Sequence, residues 1–332
     1  MKPSSSIFAV TLGDVAGIGP EVVAKALLDP AMPQGAIPLV IGEAHSLQER
    51  IDWLGLTGKV IKVEELPSDY PKPGEIWVLE AGTLDRTGFE WGKPHAGAGE
   101  LAYQSILKAV DLALGGQVQA IVTAPICKES LHLAGHFYDG HTGLIAELCH
   151  CKRYRMTFCT LDWRIVHVTA HMSLAQAIGQ ITQDRILESL EIGWEHLQQL
   201  GIKDAKIALC GLNPHAGEAG IFGSEEIEII TPAIERAQAK GIQAFGPFPP
   251  DTIFMKAFAG EYDMVAAMYH DQGHIPGKLA AFDRGVNVTL GLPIIRTSVD
   301  HGTAFDIVKD KSADHGNFFH AYRYALNMAG LS

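Results

Sequence analysis

The run YHDQGHIPGK, Tyr269 to Lys278, places two histidines, a carboxylate, an amide and a lysine directly behind the apolar stretch YDMVAAM. Open α/β sheets bind ligands at the carboxyl ends of their strands, so polar groups gathered at such an end suit a site better than a core. The pattern occurs twice more. IVHVTA leads into His171, and KIALCGL leads into Asn213-Pro214-His215. Neutral imidazole is a common ligand for zinc and related ions, and three protein ligands leave a coordination position open for substrate. His171, His215 and His270 are therefore candidate metal ligands delivered by three strand ends, and unrelated loop histidines are the competing reading. His167, inside a strand pattern, reads as a satisfied or half-exposed imidazole.

A second constellation is cationic. Lys278 and Arg296 flank GVNVTLGLPII, with Asn287 between them. A lysine point charge, an arginine fork and a neutral amide donor together make a cradle for phosphate or carboxylate. Asp300-His301-Gly302-Thr303 follows close behind. A weaker signal is Gly140-His141-Thr142, where an imidazole and a hydroxyl in a glycine-bounded loop offer hydrogen bonds to an anion.

The elements that must hold these residues alternate between apolar runs and helical patterns, which predicts a parallel sheet covered on both faces. Strands are expected at IFAVTLG, IPLVIG, VQAIVTAP, RIVHVTA, KIALCGL, DMVAAMY and, less regularly, NVTLGLPII. Helices are expected near 20–28, 99–115, 183–200 and 224–240. Ser173 and Gln176 have capping-box spacing, and Glu225 and Glu226 follow Ser224 where a helix dipole favours negative charge. The stretch TLGDVAGIGPEVV has a strand–turn–helix character with Gly17 and Gly19 as a G-x-G pair. Val22 stands where the third glycine of a dinucleotide fingerprint belongs, so a standard Rossmann site is excluded. The pair reads either as a turn needing positive φ or as backbone facing a ligand at a helix N-terminus.

The chain has 332 residues, 47% of them hydrophobic, enough for two packed lobes or one large α/β unit. A net charge of −12 argues against nucleic-acid or anionic-membrane partners, though not against a small anionic substrate. No apolar run approaches the roughly 18 residues of a membrane span, and MKPSSSIFAV lacks the layout of a signal peptide, so a cytoplasmic protein is expected. The five cysteines suggest no disulfide framework, and Cys149-His150-Cys151 lacks the second pair of a structural zinc site.

In this order, TLGDVAGIGPE, AGHFYDGHT, GLNPHAGE, YHDQGHIPGK and GLPIIRTSVDHGTAFDI resemble the 4-hydroxythreonine-4-phosphate dehydrogenase family, over nearly the whole chain. The resemblance implies an isocitrate/isopropylmalate-dehydrogenase-like α/β fold, with two lobes and a cleft between them. The expected first lobe spans 1–130 plus 281–332, on the cofactor side, and the second spans 131–280, on the metal and dimer side. It also implies a homodimer with shared active sites, NAD (or NADP) bound without a Rossmann fingerprint, and one divalent metal (Zn, Mg, Mn or Co). Carried over, the metal ligands are His171, His215 and His270, gathered from both subunits. The substrate contacts are His141, Thr142, Lys278, Asn287 and Arg296. The loop Asp300, His301, Gly302, Thr303 faces the cofactor, and Asp271 is the candidate for orienting a ligand or relaying a proton.

Two departures stand out. The family's GHTE is GHTG here, so Gly143 removes a carboxylate, and GDPAGIGPE is GDVAGIGPE. HIPGK resembles the second branch of the family, whose members oxidise 4-phospho-D-threonate or 4-phospho-D-erythronate, and loss of an acidic group suits an amine-free substrate. The expected activity is NAD- and metal-dependent oxidation of a small 4-phosphorylated 3-hydroxy acid, with decarboxylation. The alternatives are a dihydrodiol dicarboxylate dehydrogenase of the same family, a metal-dependent lyase or aldolase on a phosphorylated sugar acid, and a non-catalytic metabolite-binding protein.

Overall fold

A computed structural model describes residues 6–332. The chain divides into two compact units, one built from residues up to Lys152 together with Leu292–Ser332, the other from Arg153–Gly291.

The first unit opens with β1 (Ile7–Thr11), α1 (Gly19–Leu28), β2 (Ile37–Gly42), α2 (Ala44–Leu54), β3 (Lys59–Val63) and β4 (Glu75–Glu80). It continues with α3 (Ala96–Leu114), β5 (Ala120–Thr123), α4 (Lys128–Leu133) and α5 (His141–Leu148). The second unit runs through β6 (Arg155–Cys159), β7 (Arg164–His167), α6 (Leu174–Gln180), α7 (Gln183–Gln199) and β8 (Ile207–Cys210). After a short 3₁₀ segment (Pro214–Gly220) and one π-helical turn (Glu226–Ile230) come α8 (Thr231–Ala239), β9 (Ala244–Phe248), α9 (Pro250–Phe258), β10 (Met264–Ala267), α10 (His270–Ala281) and β11 (Val286–Leu290). The chain then returns to the first unit for β12 (Ile295–Ser298) and α11 (Gly316–Met328).

Strands of the first unit lie in the order β3-β4-β2-β1-β5-β12, all parallel. Its central strands are buried on both faces, as helix-covered parallel strands must be. Ile7, Ala9, Leu39, Ile41, Ile106, Val110 and Ile121 form the core between sheet and helices. In the second unit the order is β11-β6-β7-β10-β8-β9. There β6 pairs antiparallel with both β11 and β7, and the rest is parallel. Phe158, Trp163, Ile165, Phe254, Val265 and Ala267 fill its core.

Four strands escape the sequence pattern: β3, β4, β6 and β9. KVIKV in β3 is nowhere fully buried, so its alternation is faint. NVTLGLPII is two strands, β11 and β12, split at Gly291, whose φ of 86° turns the chain. The unit boundaries also differ from those expected at 130 and 280. α4 and α5 pack on α3, which keeps His141 and Thr142 in the same unit as Arg296. Asn287 falls in the second unit instead of the first.

Candidate active site

In the second unit the polar run at 270–278 is not a loop. It is most of α10, which begins after the two residues that follow β10. Gly273, Pro276 and Gly277 hide the helix from propensity, yet Gly277 and Gly273 are where the helix presses on the sheet. A Cβ on Gly277 would meet the Phe158 ring at 3.0 Å, and one on Gly273 would lie 2.7 Å from His167 Nε2 and Ile165 Cγ2. Helical spacing then stacks His270 and His274 on one face, with ring centroids 4.2 Å apart at 15°.

The hydrogen bonds assign the protons. His270 Nδ1 lies 2.7 Å from Asp271 Oδ1; the carboxylate only accepts, so Nδ1 carries the hydrogen and in the neutral ring Nε2 has the lone pair. His167 Nδ1 donates to the Met156 carbonyl at 3.3 Å, leaving its Nε2 to accept from His274 Nδ1 at 3.1 Å. Burial pushes His167 down to about 3 and His274 down to about 2, the latter helped by His167 and His270, so both are neutral at ordinary pH. His171, on the segment after β7, brings its ring to 5.5 Å from that of His270.

His215 lies beyond β8. It begins a run of left-handed residues, His215 to Ala219, with φ between 44° and 81°, and its side chain is 65% exposed. Among the described residues no three His, Cys, Asp or Glu side chains are arranged to hold a metal, so His171, His215 and His270 of one chain make no ready three-ligand site, although the His171 and His270 rings lie close. The donor chemistry of that pair nevertheless fits a divalent ion, since Asp271 leaves His270 Nε2 as a free donor atom.

Two residues that the sequence reading assigned no site role fix this region. Glu226 accepts from Leu212 N–H and Asn213 N–H, both at 2.7 Å, and from Asn213 Nδ2 at 2.9 Å. Burial raises its pKa, but the bonds from Asn213 and Leu212 outweigh burial and hold it below the usual value. Its position at a helix start had suggested only a dipole partner; it clamps the His215 turn instead. Gln272 accepts from Met268 N–H at 2.7 Å and donates to the Gly211 carbonyl at 2.8 Å, tying together the chain beyond β10 and β8.

In the first unit Arg296 is buried on β12 and donates from Nη2 to Thr123 Oγ1 on β5 at 2.9 Å. Burial lowers its pKa to about 9, so it remains a cation at neutral pH. His141 is the first residue of α5, behind Gly140 at φ 132°. Burial, then the Arg296 charge, holds His141 well below the usual histidine range. Its Nε2 is buried without a hydrogen-bond partner. A buried cation, a neutral imidazole with an unsatisfied nitrogen and the N–H groups of a helix start are chemically suited to an anion. Thr142 is half-buried on the next turn position. A Cβ on Gly143 would meet nothing within 4 Å, so no crowding excludes a longer side chain there.

Asp300–Thr303 opens the irregular segment between β12 and α11. Asn317 Oδ1 accepts from Asp300 N–H at 2.8 Å, and Ile18 N–H donates to the Thr303 carbonyl at 3.0 Å. His301 Nδ1 contacts the Gly302 carbonyl at 3.0 Å, and its buried Nε2 has no partner. Here the glycines of GIGPE find their reason. A Cβ on Gly17 would lie 2.8 Å from the Thr303 carbonyl oxygen, and one on Gly19 2.2 Å from that of Leu12. Neither has positive φ; Gly13 does, at 68°. Lys278 lies in the last turn of α10 and Asn287 on β11. Cys149 and Cys151, on either side of His150 (φ 51°), are in no disulfide.

An α/β fold without a Rossmann dinucleotide fingerprint is the class these features define. The fold matches a β-decarboxylating dehydrogenase from Thermococcus kodakarensis with TM-score 0.51 at 14% identity, covering 98% of this chain and 84% of that one, a likeness of fold alone. The family described as "Pyridoxal phosphate biosynthetic protein PdxA" matches residues 34–325, and the chain belongs to it. A D-threonate 4-phosphate dehydrogenase from Salmonella typhimurium is 46% identical over 97% of this chain and 98% of its own length. The crystal structure of a 4-hydroxythreonine-4-phosphate dehydrogenase from Klebsiella pneumoniae superposes with TM-score 0.90 at 43% identity, covering 98% of this chain and all of that one. No described helix is long and apolar enough to cross a membrane.

Proposed function

We propose that this protein oxidises a small 4-phosphorylated 3-hydroxy acid, 4-phospho-D-threonate foremost, with NAD (or NADP) as acceptor and a divalent metal such as zinc. The observation that carries the reading is the anion receptor of Arg296 and His141 in a chain 46% identical to a D-threonate 4-phosphate dehydrogenase. Arg296 supplies fixed positive charge, and His141 and Thr142 supply hydrogen bonds that orient the anionic end. Lys278 and Asn287 are assigned to the substrate by the family resemblance.

His171 and His270 would hold the metal, with His215 supplied across a homodimer. A bound divalent ion would lower the pKa of the reacting hydroxyl and stabilise negative charge on it. Asp271 fixes the His270 tautomer and is placed to relay a proton. Asp300–Thr303 is assigned to the dinucleotide, which takes the hydride. With the hydroxyl β to a carboxylate, the oxidised product is a β-keto acid, which loses carbon dioxide readily. The homodimer is supported by an apolar face on α9 and α10 beside Asp271, where Met255, Ile275 and Leu279 are all exposed.

The test is NADH formation by purified protein with 4-phospho-D-threonate, 4-phospho-D-erythronate, 4-phosphohydroxy-L-threonine and a dihydrodiol dicarboxylate, each with and without EDTA. EDTA-sensitive turnover, fastest on 4-phospho-D-threonate, is expected. Turnover that ignores EDTA, or occurs only on the dicarboxylate, would overturn the reading.

A further inference from the structure

Between β12 and α11 the backbone is irregular, and two of its non-glycine residues, Ala304 (φ 42°) and Lys311 (φ 57°), lie in the left-handed region. Such conformations persist only where the surroundings over-determine them. Around Lys311 three side chains of α1 and α2 do so. Lys25 Nζ donates to the carbonyls of Lys311 and Ala313, each at 2.9 Å. Glu21 accepts from Ala313 N–H at 3.1 Å and from Lys25 Nζ at 2.8 Å. Arg50 Nη1 donates to the Val308 carbonyl at 3.0 Å, while its guanidinium lies 3.9 Å over Trp91 and 5.0 Å from the Trp53 ring.

Glu21 and Arg50 are 0% and 1% exposed. One oxygen of Glu21 and one terminal nitrogen of Arg50 find no hydrogen-bond partner. Buried charges so incompletely satisfied are poor contributors to stability, because desolvation offsets their attraction. What they do provide is direction: every outward bond from the cluster ends on the backbone between Val308 and Ala313. Ile18 and Asn317 fix the other end, at Thr303 and Asp300.

We propose that Glu21, Lys25 and Arg50 are positioning residues for the dinucleotide, holding the segment that begins with Asp300–Thr303 in the shape that receives it. The inference rests on the assignment of Asp300–Thr303 to the cofactor. Its test pairs two readouts on the full-length protein: hydrogen–deuterium exchange across 300–313 without ligand, and the NAD dissociation constant by calorimetry. Lys25→Met, Arg50→Met and Glu21→Gln are expected to speed exchange across the segment. They should weaken NAD binding by about tenfold, with the KM for the acid at saturating NAD unchanged. Arg50→Lys, which keeps a donor for Val308, should recover part of both effects. Lys25 is partly exposed, so Lys25→Met keeps the fold and decides the matter if the others do not. Unchanged exchange in Lys25→Met overturns the clamp. Faster exchange with unaltered NAD affinity overturns its link to the cofactor, and failure of the unaltered protein to bind NAD or NADP overturns the cofactor assignment itself.

Discussion

Desolvation acts on both units, with opposite chemical results. In the first unit it bears on Arg296, whose pKa falls only to about 9, so burial concentrates a charge that survives. In the second it bears on His167 and His274, pushed to about 3 and about 2, so burial removes charge and leaves lone pairs and N–H groups in fixed order. Starting pKa decides the difference: a guanidinium has several units to lose before neutral pH, an imidazole almost none. One unit thereby keeps a buried positive charge and the other presents neutral donor atoms. The scaffolds differ in parallel. Arg296 projects from within an all-parallel sheet, whereas His270 and His274 ride on a helix that starts at a strand end.

The sharpest way to separate the units is acid. His167, His196 and His274 in the second unit all have depressed values, against His141 in the first. Unfolded histidines take up protons as pH falls through about 6.5, while the folded ones resist until about 3, so their contribution is intact above about 6.5 and stability drains away between there and about 3. Each such group adds a slope of about 1.4 kcal/mol per pH unit. In metal-free protein, amide protection in 153–291 should collapse at higher pH than in the other unit. Equal acid sensitivity of both units would break the comparison.

Arg296→Ala attacks the first unit. Loss of a buried charge-assisted contact should raise the KM for the acid by about a hundredfold, roughly 3 kcal/mol, with kcat less affected. An unchanged KM for every acid would remove Arg296 from the site. Gly273→Ala attacks the helix–sheet contact of the second unit. Its methyl would sit 2.7 Å from His167 Nε2, and overpacking of this kind costs about 1–3 kcal/mol in chemical denaturation. The smallest effect belongs to Ser173→Ala, which removes the capping box of α6 and should cost about 1 kcal/mol by the same measurement.

Sequence periodicity revealed the strongly buried strands, the helices at α1, α3 and α7 and the Ser173–Gln176 box, because each is set by local pattern or cap. The family, too, could be read from its motifs. What stayed hidden depended on partners far along the chain. Three glycine or proline positions disguised α10, since close packing on Phe158 and His167 outweighs propensity there. The His167–His274 bond spans residues 107 apart, and nothing local announces it. Glu226 looked like a helix-dipole residue because the loop it clamps lies over a dozen residues upstream. Gly17 and Gly19 were read as turn or ligand glycines, but their neighbours, Thr303 and Leu12, make them packing glycines.

The split of the first unit has a consequence for biosynthesis. Arg153–Gly291 is one unbroken stretch, whereas β5 receives its second sheet neighbour only when β12 has been made. A ribosome emitting this chain from its N-terminus therefore exposes AIVT of β5 as an unpaired apolar edge while the whole intervening unit is translated. Arg296 and the segment after it arrive with the strand that closes that edge. Completion of the sheet and the meeting of Arg296 with His141 are the same event, so a nascent chain stalled before β12 carries a finished second unit and lacks that pair.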